Sequence, residues 1–89
     1  MANSVELLSD ATNYAIVQLP GRKFPGVVVQ GDSLHSMVTR LIRLRALSET
    51  DGNDELSAGL EELLEVLSGA LRRFETTCTA RGLNLPYPT

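Results

Sequence analysis

The sequence predicts an α+β fold: a small antiparallel β-sheet of two or three strands, followed by a two-helix hairpin packed on one face. Three observations carry that expectation. Short β-branched runs, two of them parted by a loop with two Pro-Gly pairs, fill the first third of the chain. After Gly31 the apolar period lengthens to about 3.6 residues. Two stretches of that period then follow, parted by the polar Ser48-Glu49-Thr50-Asp51-Gly52-Asn53-Asp54. The 89 residues have room for one domain, comprising a β-hairpin region 1–30, a helical hairpin 31–82 and a docked tail 83–89. A chain this short buries only about 60–65% of its unfolded surface, so each helix needs a partner.

Val5-Glu6-Leu7-Leu8 is a weak strand candidate, and Asn13 to Leu19 a stronger one, with a β-branched, aromatic-containing centre. In Pro20-Gly21-Arg22-Lys23-Phe24-Pro25-Gly26, two Pro-Gly pairs bracket a basic tip. Proline presets φ and glycine accepts a positive φ, as a type II turn requires. Val27-Val28-Val29-Gln30 resumes as a strand, pairing antiparallel with its predecessor and leaving Arg22-Lys23-Phe24 at the exposed end. Asp32 or Ser33 is the expected cap of a first helix with Leu34, Met37, Val38, Leu41, Ile42 and Leu44 on its apolar side. Arg40 and Arg43 fall opposite, and Arg45 snorkels at the end.

Asp54 is the expected cap of a longer helix running to about Arg81 and stopped by Gly82. Leu56, Leu60, Leu63, Leu64, Val66, Leu67, Ala70, Leu71, Phe74 and Cys78 span an arc of about 160° on its wheel, wider than a two-stranded seam. Acidic residues lead this helix and arginines follow, as the dipole prefers. Gly59 and Gly69 each cost about 1 kcal/mol against alanine and argue against an unbroken rod. The ending Leu83-Asn84-Leu85-Pro86-Tyr87-Pro88 cannot be helical and either docks on the core or adds an edge strand.

Gly31-Asp32-Ser33-Leu34, coming after a valine run, resembles the opening of the GDSL esterases, whose serine attacks an ester carbonyl. That resemblance implies a large α/β domain and a histidine base supplied late in the chain. Here the single histidine is His35, two residues from Ser33 and about 200° away on a helix. Ser33 reads as a helix-start residue, with Gly31 turning the backbone out of the strand, and hydrolysis through Ser33 is the remotest reading. The expectation is no enzyme and no catalytic residue.

Composition narrows the function further. Apolar residues make up 43% and charged residues 21%, ordinary for a globular protein. The opening residues lack the basic and apolar regions of a signal peptide, and no stretch is long enough to span a bilayer, so the expected location is the cytoplasm, without membrane contact. A net charge of −3 argues against nucleic acid as a partner. One His and one Cys, far apart, offer no metal site, and no Gly-rich phosphate loop occurs, so no cofactor is expected. Cys78 reads as core filler. Seven of the eight basic residues are arginine. Bidentate pairing with carboxylates explains that skew, and so does codon usage.

Two candidate binding surfaces remain. At Arg22, Lys23 and Phe24, either an aromatic stands exposed between cations as an interface anchor, or Phe24 folds back onto the core. Arg40 and Arg43 either meet a partner or pair with Glu61, Glu62 or Glu65 of the second helix.

Phe24 to Leu34 resembles the central signature of HicB-type antitoxins, in which Pro-Gly precedes a strand, Gln-Gly-Asp-Thr/Ser follows and a helix begins. Gly82 to Pro88 is similar to that family's Gly…Ile-Pro-x-Pro close. The resemblance implies a β-hairpin under a helix, used to occlude a small toxin ribonuclease; His35 stands where the family has Glu. The whole chain also resembles a group of short uncharacterised bacterial proteins sharing Leu-Pro-Gly-Arg…Phe-Pro-Gly…Gln-Gly-Asp. The resulting expectation is a non-enzymatic small binding protein, antitoxin- or immunity-like, with an unidentified protein partner. The alternative is a self-assembling structural or regulatory subunit, a homodimer through the long helix.

Overall fold

A computed structural model describes residues 4–88. Met1, Ala2 and Asn3, which open the stretch read for a leader, and Thr89, which ends the tail, lie outside the described residues. The fold is α+β. Strands β1 (Glu6–Leu7), β2 (Ile16–Gln18) and β3 (Gly26–Val27) form an antiparallel sheet in the order β1-β2-β3, and helices α1 (Gly31–Thr50) and α2 (Asp54–Ala80) follow. The chain divides into two compact units at the Gln30–Gly31 junction.

In the sheet, Glu6 lies opposite Gln18 and Leu7 opposite Val17, while Ile16 faces Val27 and Val17 faces Gly26. The weak candidate at Val5–Leu8 therefore supplies a third strand. The other two strands are shorter than their β-branched runs predicted, and Tyr14 is the reason. Its φ of 66° is left-handed, a conformation that interrupts an extended run. The Tyr14 N–H donates to the Val28 carbonyl and the Val28 N–H donates to the Ala15 carbonyl, both at 2.8 Å. Tyr14 and Ala15 thus oppose one residue, a β-bulge that ends the regular ladder. Beyond it the Gln30 N–H donates to the Asn13 Oδ1 at 2.9 Å, so the third run turns into the helix without further strand pairing.

The second unit is an antiparallel helical pair. Ser48 Oγ lies 2.7 Å from Ser57 Oγ near the turn, Arg45 reaches Glu61 at 2.9 Å, and Gly31 sits against the Phe74 ring at the far end. Residue numbers fall along α1 as they rise along α2. Leu34, Val38, Leu64 and Leu71 are the buried centre, with Leu41, Leu67, Phe74 and Tyr87 packed against them. Cys78 is also buried and is not in a disulfide. Ser48, only 3% exposed, gives its hydroxyl proton to the Arg45 carbonyl at 2.7 Å. A hydroxyl has a single proton, so Ser57 must be the donor to Ser48.

Both helix starts come earlier than expected, α1 by two or three residues and α2 by one. α1 begins at Gly31, so Asp32 and Ser33 lie within its first turn, where the Asp32 carboxylate accepts the Ser33 N–H at 2.8 Å. Asn53, rather than Asp54, caps α2, its Oδ1 accepting the Leu56 N–H at 3.0 Å. α2 runs unbroken through Gly59 and Gly69. It ends as predicted at Gly82, whose φ is 69°. The Gly82 N–H donates to Thr79 and the Leu83 N–H to Cys78, the paired bonds of a Schellman motif. Among the described residues the tail beyond adds no strand.

Candidate functional site

The loop between β2 and β3 is held by its own polar contacts. The Gln18 side-chain amide donates to the Arg22 carbonyl at 2.7 Å and to the Leu19 carbonyl at 3.2 Å. The Arg22 N–H closes a turn on Leu19 at 3.3 Å, and Gly21 takes φ 76°, the left-handed conformation the Pro-Gly pair was read to supply. Gln18 was not identified from sequence. Its only signal is its place at the end of a strand facing a tight loop, and many residues share that. Residues from Leu19 to Gly26 line an open hollow of about 450 Å³.

At the tip Phe24 is 73% exposed, so in this structure it does not fold back. The Lys23 ammonium lies 5.4 Å from the centre of its ring, a cation–π contact that orients both side chains. Arg22 stands beside them with no ion pair among the described residues. The structure therefore brings Arg22, Lys23 and Phe24 into one exposed patch of two cations and an aromatic face. Such a patch is suited to an acidic and apolar partner surface.

Arg40 and Arg43 are exposed on α1 and form no ion pair among the described residues. The expected pairing with Glu61, Glu62 or Glu65 falls instead to Arg45, which bonds Glu61 at 2.9 Å and approaches Glu49 at 4.0 Å. The reason is rotational. Arg45 lies one turn from Leu41 and Ser48 on the side facing α2, whereas Arg40 and Arg43 point outward.

The Gly-Asp-Ser-Leu stretch serves the helix start. Gly31 is buried, and a Cβ built on it would lie 2.0 Å from the nearest Phe74 ring carbon, so glycine is required here for close approach. His35 stacks on Tyr87, with ring centres 3.8 Å apart and planes 15° off parallel. The Tyr87 hydroxyl donates to Glu75 at 2.7 Å. Desolvation by burial, and then the hydrogen bond to Glu75, push the Tyr87 phenol up to about 12. This clasp joins the tail to both helices. It was invisible in sequence because its members are far apart.

Among the described residues no group of His, Cys, Asp and Glu has a metal-binding arrangement. No helix among them is long and apolar enough to cross a membrane. A family model, described as a family of unknown function (DUF6959), matches residues 1–87. Neither the curated proteins nor the solved structures give a match.

Proposed function

The chain belongs to this family of unknown function, and from its exposed surface we propose that it is a small non-enzymatic binding protein. It acts in the cytoplasm as an antitoxin- or immunity-like neutraliser, through the β2–β3 loop. The observation that carries this reading is the exposure of Phe24 beside Arg22 and Lys23, on a loop braced by Gln18. Large aromatics and arginines dominate binding energy at protein interfaces, and a loop fixed in advance loses less entropy on binding. The likeness of Phe24–Leu34 to the HicB-type signature supports the same role.

The test is affinity capture from the native cell with wild type and an Arg22→Ala/Phe24→Ala variant. The wild type should retain a partner protein that the variant loses by more than tenfold, with unchanged circular dichroism. Equal capture by both would overturn the reading.

A further inference from the structure

The outer edge of the sheet beside β3 is open, and the backbone bonds identify the groups it offers. In an extended run the N–H and C=O of one residue point to one side and those of the next residue to the other. The Val28 N–H and C=O both bond across to β2, to Ala15 and Tyr14, and the Gln30 N–H bonds to Asn13 on that same side. Ile16, opposite Val27, turns its own groups to β1, its carbonyl accepting the Leu8 N–H and its N–H donating to Ser9 Oγ. Val27 and Val29 therefore point their N–H and C=O groups away from β2, where they bond to nothing among the described residues.

Sheets ordinarily blunt such an edge with a charge or a proline on the strand. β1, at the opposite edge, has such a charge in Glu6. Val27-Val28-Val29 has neither device, and all three side chains are exposed, Val27 by 58%. A helix has its N–H and C=O groups bonded internally and cannot satisfy two backbone pairs spaced two residues apart. An extended strand presents the complementary pairs at that spacing, with alternate side chains against the valines.

Charge sets which strand fits. The run starts at Gly26, which also borders the hollow lined by Arg22, Lys23 and Phe24. Neither cation forms an ion pair among the described residues, and no acidic residue occurs between Asp10 and Asp32. The sheet is antiparallel throughout, and antiparallel pairing is the more stable per residue. An antiparallel strand added here passes Gly26 with its C-terminal end, so that end meets the two cations.

We propose that this edge takes up an extended segment of a partner protein as a fourth, antiparallel strand. The segment is β-branched or apolar opposite Val27 and Val29, and carries Asp or Glu on its C-terminal side, where Arg22 and Lys23 receive it. The proposal rests on the β2–β3 loop being the contact surface and names what that surface binds.

A random dodecapeptide library displayed on phage and panned against the full chain tests it. Selected peptides should share a β-branched run followed by Asp or Glu. The best of them, made synthetically, should slow amide exchange at Val27 and Val29 at least tenfold and change Val28, already bonded, far less. Val27→Pro removes an outward N–H and no ladder bond. It should weaken binding at least tenfold in fluorescence anisotropy with unchanged circular dichroism, while Val27→Thr, which keeps the N–H, binds as wild type does. Peptide N-methylation at alternate residues should abolish binding in one phase and spare it in the other, a readout that needs no variant of the chain. Arg22→Ala/Lys23→Ala should also weaken binding at least tenfold. No enrichment, enrichment without this pattern, or binding that survives both Val27→Pro and both phases of methylation would overturn the proposal. If the arginine and lysine matter but exchange at Val27 and Val29 is unchanged, the loop reading stands and the edge falls. Edge binding indifferent to Arg22 and Lys23 would remove both. Light scattering that shows the free chain associating through this edge would make a second copy the occupant and overturn the proposal as well.

Discussion

Gly31 and Tyr87 show how single residues fix one end of the helical unit. With a Cβ at position 31 only 2.0 Å from the Phe74 ring, Gly31→Ala forces the ring or the helix start to move. A loss of about 1–3 kcal/mol in urea unfolding is expected, as for overpacked cores. Phe74→Leu in the same chain should restore part of it. Tyr87 gives a pH signature. Its phenol is raised in the folded chain from 10.0 to about 12, so its contribution is complete below pH 10 and is lost as pH rises through that window. Wild type should thus lose stability between pH 10 and 12. Tyr87→Phe should be weaker at neutral pH by about 1 kcal/mol, for the lost hydrogen bond, and should lack that part of the alkaline decline. Parallel alkaline profiles for the two proteins would contradict this account. From sequence, Gly31 was read as a backbone hinge and Tyr87 as part of a docked or strand-forming tail. The ring contacts that give both residues their importance depend on partners distant in the chain, which no local pattern reports.

At the level of elements, periodicity located both helices and the composition of the first third located the strands. What it missed were the ends, because ends are decided by individual hydrogen bonds. Asn53 captures the Leu56 N–H and takes the cap from its neighbour Asp54, although both residue types favour that position. Asn53→Ala should cost about 1 kcal/mol in thermal or urea unfolding, and Asp54→Ala distinctly less. If the two were equal, the cap would be shared. Strand lengths were overestimated for a comparable reason. Tyr14 is an ordinary strand former by composition, yet its left-handed backbone makes the bulge that ends β2 at Ile16. The candidate site was legible in part. Two Pro-Gly pairs marked the loop and its basic tip, but not the Gln18 brace or the exposure of Phe24. Arg40 and Arg43 were singled out by charge, yet the inter-helix ion pair went to Arg45, which helical rotation turns toward α2.

Across the whole molecule, burial is concentrated in the helical unit. Its core holds Leu34, Val38, Leu64 and Leu71. In the sheet unit Ala15 is the one buried apolar residue among those described. So small a buried centre, with wide apolar stripes left outside it, is what a chain of this length is expected to have when other surfaces complete it.

The order of contacts along the helical pair has a kinetic consequence. Ser48 and Ser57 are nine positions apart and Arg45 and Glu61 sixteen, while Gly31 and Phe74, at the opposite end, close a far longer loop. Shorter loops cost less entropy to shut, so the turn end should form first and the Gly31 end should open first. Amide exchange under native conditions should therefore be slowest around residues 60–64 and clearly faster at residues 34–36, although both stretches are helical. Uniform protection along α1 would mean that the pair opens as one piece, and that the Tyr87 clasp holds its far end as firmly as the turn holds the near one.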